Sequence, residues 1–216
     1  MPHLKGLPRI LAIAALCSGA IAPDVAQANE ISTAGQRLAE KLDSFDVEKH
    51  WPAHLHVNWE TGEPDGKPEK GTGVHTHCSA FVAAAAKRLG VYILRPPDHG
   101  QVLLANAQNE WLESEGAAQG WQHLKDAQTA EDAANKGELV VASYHNHHEN
   151  KPGHIAIVRP STKSAEAIAE EGPDMVQAGG HNYNIVSAKM GFAGHPAAWR
   201  DHEIEYFAHN LDLRPN

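Results

Sequence analysis

The chain has 216 residues, with 18 Lys and Arg against 27 Asp and Glu, so its formal net charge is −9 when its 16 histidines are neutral. A surface of that sign repels phosphate backbones and anionic headgroups, which argues against nucleic-acid and membrane-surface partners. The length suits one domain with a sizeable core.

At the N-terminus, Lys5 and Arg9 precede the apolar run "ILAIAALCSGAIA", and "AQA" at 26–28 offers an A-x-A cleavage site. This pattern predicts a cleavable export signal over 1–28 and a periplasmic or secreted product. Loss of Lys5, Arg9 and Asp24 would leave 188 residues at a net charge of −10. The run is too short to span a bilayer with ease, and no second one follows, so no membrane association is expected after cleavage. Export also isolates a thiol. Of the two cysteines, Cys17 leaves with the signal, and Cys78 then has no internal disulfide partner in an oxidising compartment. Such a sulfur is either a small buried hydrophobe or a reactive group kept for chemistry.

Residues 31–45 fit a short amphipathic helix with Leu38 and Leu42 on one face. Residues 50–74 are rich in Gly, Pro and charge and read as a loop, with a short strand at "HLHVNW". In the following helix Cys78, Phe81, Val82, Ala85 and Leu89 form one buried stripe, and Gly90 marks its end. Two prolines keep 91–100 out of helix. A second helix is expected over 101–114, ended by Gly116, and a third over 129–137 with Thr129 as N-cap and Gly137 as its stop. The period then changes to short β-branched or aromatic runs at 138–144, 154–160, 174–179, 184–188 and 202–208. Residues 161–173 read as a long loop between two of them. Helices first and strands after predict an α+β fold with a largely antiparallel sheet. Apolar residues on both faces of 154–160 make that segment a central strand, with His154, Ala156 and Val158 on one side and Ile155 and Ile157 on the other.

The order "HCSAFV", "GELV", "GHIAIV", "MVQAG" resembles the NlpC/P60 and CHAP branches of the papain-like cysteine hydrolases. The resemblance spans residues 73–188. It implies a papain-like catalytic domain over 73–216, preceded by a helix and loop extension over 29–72. It puts Cys78 on the nucleophile, Glu138 on the usual Asp of the G-D-L-V strand, His154 on the base and Gln177 on the residue that orients the base. His181, Asn182 and Asn184 are rivals for that third place. His77 stands where the family commonly has Asp, and with Trp51 it is a candidate for the oxyanion hole or groove wall. The family's activity implies cleavage of amide bonds in peptidoglycan or another peptide, as an amidase or endopeptidase, with no cofactor and no metal.

The chemistry also follows from the residues themselves. A thiol at a helix N-terminus feels the positive end of the macrodipole, and a nearby imidazolium lowers its pKa further, so a thiolate is expected at neutral pH. His154 would then protonate the leaving amine, and a polar side chain on its second ring nitrogen would fix the tautomer. Two other readings stand beside this one. The groups "HLH" (54–56), "HTH" (75–77) and "HNHH" (145–148) have spacings suited to zinc or copper. A papain-like fold that binds without cutting is also compatible with the sequence.

Overall fold

The computed structural model of the chain describes Met1 and residues 30–68 and 75–213. Beyond Met1, the expected export signal lies outside the described residues, as does the end of the loop before Cys78. Six strands form one sheet: β1 (Trp121–Leu124), β2 (Leu139–Tyr144), β3 (His154–Val158), β4 (Asp174–Gln177), β5 (Tyr183–Ser187) and β6 (Glu205–His209). Their spatial order is β1-β6-β2-β3-β4-β5, and every pairing is antiparallel. The fold is therefore α+β with an antiparallel sheet. β2 and β3 lie innermost and are buried along their whole length, as apolar residues on both faces require.

Strand alternation divides the core into two layers. On one face, Leu139, Val141, Ile155, Ile157, Val176 and Phe207 pack under α1 (Thr33–Asp43), α2 (Cys78–Arg88) and α3 (Leu104–Ser114). On the other, Val140, Ala142, Tyr144, Ala156, Val158 and Met175 pack against α4 (Ala127–Asn135), α6 (Ala188–Gly191) and α7 (Pro196–Arg200). Fully burying each large aliphatic contributes about 1.5–3 kcal/mol, so the two layers together carry the fold.

Helix α2 departs from the single stripe expected of it. Every residue from Cys78 to Ala86 is buried, because a run of alanines makes the helix slim enough for neighbours to close on all sides. The segment 30–68 supplies part of that enclosure. Leu38, Leu42, Phe45, Val47, Trp51 and Val57 belong to the same apolar cluster as α2 and the sheet. α1 approaches α4 so closely that a Cβ on Gly35 would stand 2.3 Å from the Asn135 carbonyl oxygen, and one on Gly137 (φ 94°) 2.6 Å from Ala34 Cβ. Only glycine fits at either place.

Several local expectations are corrected. Asp126, not Thr129, caps α4: its carboxylate accepts from Thr129 N at 2.8 Å while Thr129 Oγ1 accepts from Asp126 N at 3.1 Å. Thr129 is thus the third helical residue of a capping box. The stretch 161–173 contains α5 (Ala165–Glu171), capped by Ser164. Gly116 opens a short 3₁₀ turn instead of ending the helix outright. The strand expected at 54–59 is reduced to one bridge between Val57 and Pro64. Among the described residues no helix is long and apolar enough to cross a membrane.

Candidate active site

Cys78 is the first residue of α2 and is 5% exposed. Its sulfur is approached by the backbone N–H groups of Ile155, Ser79 and Cys78 itself and by the Thr76 hydroxyl, each of which favours the thiolate. Burial opposes them and prevails, holding the thiol above its ordinary value of 9.0. Burial therefore works against the thiolate expected at neutral pH, since the loss of water around the sulfur outweighs the donors.

His154 opens β3, directly opposite Tyr144 on β2. The preceding Gly153 makes this closure possible, since a Cβ there would lie 2.1 Å from the Tyr144 carbonyl oxygen and 2.4 Å from Asn106 Oδ1. The imidazole is buried, edge-on to Phe192 (4.8 Å between centroids, 84°) and stacked on His195 (5.7 Å, 20°). It thus follows the Ala156 and Val158 side of the strand, whereas α2 lies over Ile155 and Ile157. Ring and sulfur reach the end of β3 from opposite faces of the sheet. The Ile155 N–H brings the sulfur to the residue next to His154, and among the described residues no hydrogen bond joins Sγ to the ring.

His154 Nε2 is 3.0 Å from Gln177 Oε1, and Gln177 Nε2 donates to the His181 carbonyl at 3.4 Å. The direction of this chain fixes the tautomer. Since the amide presents its oxygen, Nε2 of the ring carries the proton and donates, which leaves Nδ1 with the lone pair. Burial holds His154 below the ordinary imidazole value of 6.5, so the neutral ring is favoured. Gln177 ends β4 at an irregularity in its register with β5, and a Cβ on Gly191 would meet its Oε1 at 2.7 Å. A register irregularity of this kind re-aims a side chain relative to the regular ladder.

The rivals of Gln177 have other work. Asn182 Oδ1 accepts from Gly179 N at 3.0 Å, and its Nδ2 donates to the carbonyls of Val47, His50 and Trp51 at 2.9, 2.8 and 3.1 Å. It straps the N-terminal segment to the turn after β4. Asn182→Ala should accordingly destabilise the protein by about 1–3 kcal/mol in urea unfolding, since those carbonyls lose their shared donor. The side chain of His181 is exposed; Asn184 holds Glu48 Oε1 by its backbone N–H at 3.1 Å, and its buried Oδ1 makes no hydrogen bond to His154 or any other described residue. Glu138 precedes β2 at the end remote from Tyr144.

Neither groove candidate is open. Trp51 is fully buried, with its ring 5.2 Å from Phe81 and its indole N–H donating to the Trp59 carbonyl at 3.0 Å. It is a core residue and lines no groove. His77 is buried, and its Nε2 lies 2.8 Å from the Leu55 carbonyl, which pins the 50–57 segment to the start of α2. That nitrogen is committed to the fold, so His77 does not offer it to an oxyanion.

The histidine groups with metal-like spacing are spread among carboxylate partners. His56 pairs with Asp65 (2.8 Å), His145 with Glu110 (2.9 Å) and His147 with Glu203 (3.3 Å). The last two pairs border an open acidic cavity of about 460 Å³ between α3 and the ends of β2 and β6. Among the described residues no group of three or more His, Cys, Asp or Glu is arranged to hold a metal ion.

One residue near the base carries no sequence signal of its role. His195 is recognisable only as the residue before Pro196, a residue type favoured at a helix start. No family model and no curated protein matches the chain.

Proposed function

We propose that the protein is an exported, papain-like cysteine hydrolase that cleaves amide bonds, with Cys78 as nucleophile, His154 as base and Gln177 as the residue that orients it. The observation that carries this reading is the Gln177–His154 hydrogen bond of 3.0 Å at the start of β3, the strand whose next N–H, that of Ile155, favours the Cys78 thiolate. It supports a general-base route from a neutral pair. The route requires the Cys78 side chain to swing to Nδ1, which then takes the thiol proton as sulfur bonds to the carbonyl carbon, and the carbonyl oxygen becomes anionic. First-turn N–H groups of α2, which have no acceptor within the helix, stabilise that oxygen. Collapse of the intermediate breaks the C–N bond while the imidazolium returns its proton to the amine. A water molecule, deprotonated by His154, then hydrolyses the thioester and restores the thiol.

Export and the family resemblance together point to peptidoglycan as substrate. The test is digestion of purified peptidoglycan with mass spectrometry of the released fragments. Wild type should release fragments carrying a new amine and a new carboxylate at the cut amide, and Cys78→Ala none; equal release by both proteins would refute the assignment. The depth at which Cys78 lies favours one second reading, a papain-like module that binds without cutting. Co-sedimentation of wild type with intact peptidoglycan, and no fragment at any pH, would be its result.

A further inference from the structure

His195 is assigned by nothing above, yet it lies in contact distance of the candidate base. It sits in the turn between α6 and α7, half-buried, with its ring nearly parallel to that of His154 at 5.7 Å and 5.6 Å from Tyr144. The other sides of His154 are occupied. Gln177 takes Nε2, Phe192 meets the ring edge-on, and Gly179 is close enough that a Cβ would be 3.7 Å from Cε1. His195 therefore stands, offset and nearly parallel to the ring, beside the contacts made by Gln177, Phe192 and Gly179. We propose that His195 is a positioning residue for this site: its ring shields the face of His154, holding the base against Gln177 and uncharged.

The titratable groups around the pair are few. From α2 comes Cys78, from β2 Tyr144, and beyond Tyr144 lie Glu203 and Asp201 after α7, with His147 at 6.4 Å from the tyrosine ring. None of them is a lysine or arginine that would keep His154 neutral by repulsion. Burial is what disfavours its charged form, with the Gln177 bond acting the other way. His195 is itself held down to about 4, first by burial and then by the charge of His154. It is thus uncharged at neutral pH, where it acts on the base as cover and not as a second charge.

The proposal rests on the hydrolase reading only for its effect on activity, and the experiment separates the two. The ring of His154 is followed by long-range ¹H–¹⁵N correlation against pH in the full chain, in wild type, His195→Ala and His195→Phe. Alanine uncovers the ring, so its midpoint should rise toward 6.5; phenylalanine restores the cover, so its midpoint should stay at the wild-type position. Should the alanine variant fail to fold, His195→Ser replaces it, because serine is a good N-cap for α7. In the peptidoglycan assay the acid limb of kcat/KM should move in step with the ring midpoint. An unmoved midpoint in the alanine or serine variant overturns the proposal, as does a phenylalanine variant that shifts as far as alanine. A shifted midpoint in a protein without Cys78-dependent hydrolysis upholds the role of His195 and counts against the hydrolase.

Discussion

His154→Ala is expected to lower kcat/KM by roughly 10²–10⁴-fold, the range lost with a general acid–base group. Gln177→Ala leaves the ring in place but removes a buried hydrogen bond worth about 1–3 kcal/mol, which corresponds to roughly a five- to 150-fold loss. The pH dependence of the intact protein distinguishes this mechanism from a preformed ion pair. Because burial depresses His154, the base stays neutral until the pH falls below the ordinary imidazole range, and the acid limb of kcat/KM should lie below 6.5. Because burial raises the Cys78 thiol, alkylation by iodoacetamide should keep rising with pH through 9.0. A plateau of alkylation at pH 5–7 would mean that the thiolate already exists there, and the neutral-pair route would be wrong. Stability carries the same sign. Unfolding lets His154 and His195 bind protons that the fold disfavours, so the protein should lose stability as pH falls from 6.5 toward 4.

The second large effect is expected at a residue that takes no part in the chemistry. Trp51→Ala should destabilise the protein by about 3–5 kcal/mol in denaturant unfolding, a large share of the 5–15 kcal/mol typical of a domain. The indole fills the space between Phe81 and Gly62, where a Cβ on the glycine would come within 2.5 Å of the ring. The Arg88 guanidinium lies over the indole at 5.4 Å. Its backbone is in the left-handed region at φ 54°, with its N–H donating to the Gly62 carbonyl at 2.8 Å. Trp51→Phe keeps the contact with Phe81 and loses only the indole bond to Trp59, so its cost should be smaller. Were Trp51 a groove wall, truncation would raise KM and spare stability; the buried position predicts the opposite.

Where periodicity was strong, the sequence was readable. Leu38 and Leu42 marked α1, the double apolar face of 154–158 marked a central strand, and Cys78 was placed at a helix start. The failures share a cause. Thr129 looked like a cap because the carboxylate of Asp126 competes for the same place three residues earlier. β1 is only four residues long, too short for alternation to stand out. α5 was hidden in a charged stretch between two strands. The protonation state of Cys78 depends on how tightly the sheet and α2 close around it, a sum over residues distant in the chain. The choice between Gln177 and Asn182 had the same limit. Both are amides near the end of β4, and only the carbonyls of Val47, His50 and Trp51 reveal that one of them is a strap.

That strap bears on how the molecule assembles. Its three hydrogen bonds join residues 131–135 positions apart in sequence, and the candidate base and its orienting amide are themselves 23 apart. The strap forms only after a long loop has closed, so it should be among the last contacts to order during folding, after the shorter-range bond at the base. For the same reason the boundary between residues 72 and 73 is no place to cut. A fragment starting at residue 73 would lack Leu38, Leu42 and Trp51 from the core and the three carbonyls that anchor Asn182. It should behave as an incomplete domain and not as a minimal enzyme.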